Sequence, residues 1–152
     1  MISAVDHINI VVSDLERSVK FYTELLGFRE MRRARLEGKW IESVVGFRDV
    51  KADVVFIAAP AGEPRLELLC YISPYGKAFS ENSTANTIGL RHIALRVDDI
   101  HSSAERLKEA GVTMVSEPVA VPSDVVSHDS GNKILCYFLD PDGTLLELAE
   151  YR

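Results

Sequence analysis

The sequence predicts an α+β fold built from two tandem βαβββ modules. Three observations carry that reading. The chain repeats itself at an offset of 85 residues, each copy opens with an alternating strand followed by an amphipathic helix, and each copy closes on an apolar strand that carries one glutamate.

The repeat is visible when His7-Ile8-Asn9-Ile10-Val11-Val12-Ser13-Asp14-Leu15 is set above His92-Ile93-Ala94-Leu95-Arg96-Val97-Asp98-Asp99-Ile100; four of the nine positions are identical. The closing segments also match, Arg65-Leu66-Glu67-Leu68-Leu69 against Leu145-Leu146-Glu147-Leu148-Ala149. Histidine precedes glutamate by 60 residues in one half and by 55 in the other. Chance supplies one such match more readily than both in the same order.

Taken in order, residues 7–12 alternate, with Ile8, Ile10 and Val12 on one face and His7, Asn9 and Val11 on the other. Ser13-Asp14-Leu15-Glu16 has the form of a capping box with Ser13 at its head. Leu15, Val19, Tyr22 and Leu26 follow at helical spacing, and Gly27 suits the position just past a helix end. Strands are expected over 54–58 and 66–71, with a weaker candidate at 30–45. In the second half, Asp98 or Asp99 caps a helix carrying Ile100, Ala104, Leu107 and Ala110, and Gly111 ends it. Residues 134–139 read as a strand and 112–121 as a weaker one. Asp140-Pro141-Asp142-Gly143 is a turn, because proline fixes φ and glycine accepts positive φ. Residues of about 1–75 and 89–152 are thus the two modules of a single domain. Residues 76–88 are the linker, and 122–133 is a loop placed to cover a site.

Composition narrows the function. The 152 residues are 47% hydrophobic, which excludes wholesale disorder, and no apolar run is long enough to cross a membrane. Seventeen basic against 23 acidic residues leave no surplus of positive charge for nucleic acid. The first residues lack the basic and apolar regions of a secretory signal. Cys70 and Cys136 lie far apart in apolar runs and read as reduced core thiols, so the expected location is the cytoplasm.

A helix returning on its strand covers the apolar face, which leaves His7 and His92 on the opposite face beside Asn9, Ala94 and Arg96. That face suits a solvent-filled concavity. Glu67 and Glu147 are each flanked by leucines, where a carboxylate is costly without a cation or hydrogen bonds. A single strand histidine is usually structural, but four matching positions point further. Two modules related by pseudo-twofold symmetry would gather His7, Glu67, His92 and Glu147 into an N₂O₂ set for a divalent ion of the Zn, Ni, Co, Fe or Mn type. His101 reads as surface. His128 falls in the covering loop, as surface or as a lid contribution, and Trp40 and Phe47 read as core or pocket wall.

Asp6-His7-Ile8, Phe21-Tyr22 with Leu26-Gly27-Phe28, Leu66-Glu67-Leu68, Leu90-Arg91-His92-Ile93-Ala94, and Asp140-Pro141-Asp142-Gly143 through Leu146-Glu147-Leu148 together resemble the vicinal oxygen chelate superfamily. This superfamily includes glyoxalase I, methylmalonyl-CoA epimerase, extradiol dioxygenases, fosfomycin-modifying enzymes and bleomycin-resistance proteins. The resemblance implies a curved, open-barrel-like mixed sheet around a cleft, with helices on its outer face. It implies metal ligands at His7, Glu67, His92 and Glu147, the full set being similar to that of bacterial-type glyoxalase I. Residues 73–92 look epimerase-like, although epimerases usually have glutamine where Glu67 stands. Tyr137 matches an active-site tyrosine of the dioxygenase and fosfomycin groups. The implied chemistry is proton transfer beside a carbonyl, with Glu147 as principal base and Glu67 as second choice. Tyr137, Arg96 and Lys133 are the candidates for contact with a small-molecule substrate, the two cations for its anionic end. The leading expectation is a glyoxalase-I-like lyase or isomerase. An epimerase, an extradiol-type dioxygenase and a non-catalytic antibiotic-binding protein are the alternatives. A homodimer is expected by the same resemblance.

Overall fold

The computed structural model describes residues 1–79, 84–122 and 131–152. The chain divides into two compact units, Met1–Ala78 and Phe79–Arg152. Among the described residues no helix is long and apolar enough to cross a membrane.

Unit 1 runs β1 (His7–Val11), α1 (Leu15–Lys20), a π-helical turn (Phe21–Leu25), β2 (Arg29–Glu37), α2 (Lys39–Val45), β3 (Lys51–Ala59) and β4 (Gly62–Ser73). Its sheet has the order β1-β4-β3-β2; β1 and β4 are parallel and the other pairs antiparallel. The apolar face of β1 sets this arrangement. Ile10, Leu66, Leu68, Val55 and Ile57 are buried, and α1 packs on β3 and β4 with Ser18 and Val19 buried, as is Tyr22 in the turn that follows. Asp14, and not Ser13, caps α1: its carboxylate accepts from the Arg17 N–H at 3.0 Å. Ser13 Oγ instead accepts from the Arg17 guanidinium, and Glu16 pairs with Arg33, so both ends of the expected capping box are otherwise engaged.

The expected strand over 30–45 is half right. β2 stops at Glu37 because Gly38 takes φ +91°, and α2 follows until Gly46, in the left-handed region, closes it. Trp40, Val44 and Phe47 lie exposed around this helix, not in the core.

Unit 2 runs β5 (His92–Arg96), α3 (Ile100–Glu109), β6 (Val119–Ala120), β7 (Lys133–Leu139) and β8 (Leu145–Tyr151), with sheet order β5-β8-β7-β6. Parallel β5 and β8 repeat the pairing of β1 and β4. Ile100, Ala104 and Leu107 of α3 are buried, as are Cys136, Phe138, Leu146 and Leu148, and α3 packs on β7 and β8. Asp99 caps α3 through the Ser102 N–H at 3.0 Å. Residues 112–121 yield only the two-residue β6. Ser116 Oγ accepts the Tyr137 N–H at 3.0 Å, where a continuing strand would have used a carbonyl, and Pro118 has no N–H to give. In the turn at 140–143, Asp140 Oδ1 accepts from the N–H groups of Asp142 and Thr144. Residues 123–130, including His128 and most of the expected covering loop, lie outside the described residues.

Candidate functional site

Strand register decides which side chains meet. In unit 1, Asn9 of β1 pairs with Glu67 of β4, and Phe56 of β3 pairs with Glu67 from the other side. With a period of two, His7, Asn9, Glu67 and Phe56 therefore share the face turned away from α1. His7 Nε2 lies 3.5 Å from Glu67 Oε2, and the Asn9 amide donates to that same oxygen at 2.7 Å. On the other side of the ring, His7 Nδ1 meets Asp6 Oδ2 at 2.7 Å. An ionised carboxylate only accepts, so Nδ1 carries the hydrogen, and in a neutral ring that leaves the lone pair on Nε2. The His7 contact, with Arg65 beside it, holds the Asp6 carboxyl below its ordinary range. Phe56 stands edge-on to the imidazole. Beyond it the face is apolar: Ala52, Val54 and Leu69 form a buried cluster flanked by Ala34, Leu36, Phe56 and Tyr71. The polar face inferred around His7 is thus confined to β1 and the Glu67 position.

Unit 2 repeats the register, with Ala94 and Tyr137 on either side of Glu147. His92 Nε2 lies 3.3 Å from Glu147 Oε2. The Glu147 side chain is 3% exposed, against 16% for Glu67. The Lys133 ammonium approaches the buried Oε1 to 2.6 Å, a close ion pair. Burial works to lower the Lys133 pKa, and the Glu147 carboxylate, with Tyr151 and Tyr137, outweighs it and holds the ammonium above its ordinary value. Tyr137 packs on His92 at 5.2 Å between ring centroids, and the Arg96 guanidinium lies 4.6 Å from the centre of the Tyr151 ring.

The comparisons with known proteins bear on this arrangement. The model of the Glyoxalase/Bleomycin resistance protein/Dioxygenase superfamily matches residues 4–148. The chain belongs to this superfamily. A lactoylglutathione lyase of Haemophilus influenzae is 30% identical over 146 residues, covering 95% of this chain and 90% of the relative. A probable lactoylglutathione lyase of Vibrio cholerae is 28% identical over 145 residues, covering 95% and 88%. Among solved structures, a glyoxalase family protein from Bacillus cereus matches with a TM-score of 0.83 at 28% identity, covering 99% of this chain and 95% of its own. The trypanothione-dependent glyoxalase I of Leishmania major shares the fold, with a TM-score of 0.65 at 24% identity over 97% and 86% of the two chains.

As a member of the glyoxalase superfamily, the chain can be tested for its fit to a divalent ion. The His–Glu separations of 3.5 and 3.3 Å exceed an ordinary hydrogen bond. Two donors about 2.1 Å from one ion at a tetrahedral angle would stand about 3.4 Å apart. Lone-pair nitrogens and carboxylate oxygens are the donors such an ion takes, and in each pair the histidine Nε2 faces one carboxylate oxygen. The donor chemistry fits. Among the described residues no third His, Cys, Asp or Glu joins either pair as a metal-binding group, so each unit offers two donors.

Within unit 1 the structure brings together His7 and Glu67; within unit 2 it brings together His92, Glu147, Lys133 and Tyr137. Sequence reasoning missed Asp6 and Asn9 as supports and did not foresee the contact of Lys133 with Glu147. Asn9 had a readable signal, since it shares the His7 face two residues along. Lys133 had none, because only the β7–β8 register reveals its reach.

Proposed function

We propose that the chain is a metal-dependent isomerising lyase of the glyoxalase I kind, acting on the thiohemiacetal that is the isomer of lactoylglutathione. The observation that carries the reading is the His–Glu pair repeated in the two units, at separations suited to one ion, in a chain similar to lactoylglutathione lyases. His7, Glu67, His92 and Glu147 would hold the ion, drawn from Zn, Ni, Co, Fe and Mn. Since each unit offers two donors, the set needs one unit 1 and one unit 2, from one chain or from two. A homodimer accords with the resemblance.

When bound, the ion supplies a Lewis acid for neighbouring substrate oxygens. Glu147 takes the proton from the carbon that bears sulfur. The electron pair left behind moves into the carbon–carbon bond, and Glu147 returns the proton to the adjacent carbon while the hydroxyl proton passes from one oxygen to the other. The product is the thioester isomer, so no oxidant or co-substrate is consumed. Glu147 suits this role better than Glu67, because Asn9 already donates to the Glu67 oxygen that faces His7, whereas Ala94, at the matching place beside Glu147, has nothing to donate. Tyr137 and Arg96 remain the substrate contacts, Arg96 for an anionic end.

The test is thioester formation, followed by ultraviolet absorbance, from the preformed thiohemiacetal with protein loaded with each of the five metals in turn. Turnover that stops with a chelator and with Glu147→Gln is expected. A loaded protein that forms no thioester overturns the reading. Proton exchange on a coenzyme A thioester would then favour an epimerase, and dioxygen uptake with a catechol an oxygenase.

A further inference from the structure

We propose that Lys133 is a positioning residue for Glu147. Its ammonium takes Oε1, so that the carboxylate presents Oε2 alone beside His92 Nε2 and keeps a charged partner while it exchanges between ion and substrate. The inference rests on the function proposed above and concerns the same site.

The fold shows why this lysine reaches that glutamate. Lys133 pairs with Tyr151 across β7 and β8, while Glu147 lies four residues back along β8 on the same face. The intervening residue of that face on β8 is Ala149, whose methyl group leaves room for a long stem to run along the sheet. The side chain is 17% exposed and its ammonium also lies 5.9 Å from the centre of the Tyr151 ring. A lysine buried to this extent beside Ala149, ending 2.6 Å from a carboxylate that is 3% exposed, is held in one direction.

Unit 1 provides the contrast. Ala52 pairs with Tyr71 as Lys133 pairs with Tyr151, so no ammonium stands at the matching place, and Asn9 donates to Glu67 where Ala94 in unit 2 has nothing to donate. One carboxylate has a neutral donor on the oxygen that faces its histidine. The other has a cation on the oxygen that faces away. The second arrangement leaves the metal-facing oxygen unencumbered and opposes binding through both oxygens.

The test uses Lys133→Met, which keeps the stem and removes the charge, with Lys133→Arg as the charge-retaining partner. Zn²⁺ affinity is measured by competition with a chromogenic chelator, alongside kcat and KM on the thiohemiacetal. Loss of a neighbouring positive charge is expected to tighten Zn²⁺ by about tenfold while kcat falls by about tenfold or more, with KM little changed. Lys133→Arg is expected to move both quantities back toward wild type. Tighter metal with slower turnover separates positioning from damage to the fold, which would weaken both. Unchanged or weaker Zn²⁺ binding in Lys133→Met, or a rise in KM at constant kcat, overturns the inference while the proposed function stands. Wild-type protein that binds no Zn²⁺ overturns both.

Discussion

In unit 1, Glu67 receives a hydrogen bond from the neutral amide of Asn9, and His7 is oriented by Asp6. In unit 2, Glu147 faces the Lys133 ammonium, and the residue before His92 is Arg91. The strands, the register and the His–Glu separation are repeated, but the supports are not. A contact that fixes a ligand needs only to be short and stable, as the Asn9 amide is. A carboxylate that must release and retake a proton needs a partner that survives the exchange, and the ion pair with Lys133 serves that. On the proposed function, the difference would make unit 1 the holding half and unit 2 the reacting half.

The largest expected effect breaks the symmetry outright. Glu147→Gln should lower kcat by about 10²–10⁴-fold, the usual contribution of a positioned base, while Glu67→Gln should act mainly through weaker metal binding that excess metal restores. Equal, metal-rescued losses at both positions would erase the distinction. Next, Asp6→Asn should weaken metal binding by about 10–100-fold in chelator competition, because it removes the carboxylate that fixes the His7 tautomer. Arg91→Ala, at the matching place in unit 2, should not.

A third expectation concerns the strand that carries Lys133. Gly131 has φ +98°, and a Cβ built there would lie 1.7 Å from the Arg152 carbonyl oxygen. Gly131→Ala should therefore cost about 1–3 kcal/mol, read by chemical denaturation, and should alter kcat through the displaced start of β7. The smallest effect is one of pH. Glu150 is buried, accepts the Ile100 N–H at the start of α3 at 2.8 Å, and pairs with Arg152. The Arg152 pairing, followed by that N–H, holds its carboxyl below the ordinary range. A depressed folded pKa contributes stability above the ordinary carboxylate pKa and loses it as pH falls through the lower folded value. Acid titration of stability should thus be shallower in Glu150→Gln below about pH 4.5. Cys70 occupies the matching place in unit 1, its Sγ 3.6 Å from the Ser13 carbonyl oxygen, so no equivalent acid sensitivity arises there.

Much of this was legible in the sequence. Period-two alternation placed His7 and His92 on the face away from the helices, because burying Ile10 in one unit and covering Ile93 and Leu95 in the other leaves no other choice. Apolar neighbours made Glu67 and Glu147 conspicuous for the same reason. What could not be read depends on register or on competition among local options. The reach of Lys133 exists only because β7 and β8 pair as they do. Ser13 and Asp14 are both sound caps, and Arg17 decided between them by taking one with its backbone and the other with its side chain. Helix α2 replaced the end of an expected strand because two glycines at positive φ, Gly38 and Gly46, bracket it. A glycine marks where an element breaks but carries no information about the type of the next one.

The most direct test of the central claim is the stoichiometry and ownership of the metal. Titration of apoprotein with Zn²⁺ should give one tight ion per chain, and that ion should be lost equally in His7→Ala and in His92→Ala. Retention of full affinity in either variant would mean that one unit holds the ion by itself, and would contradict the four-donor account.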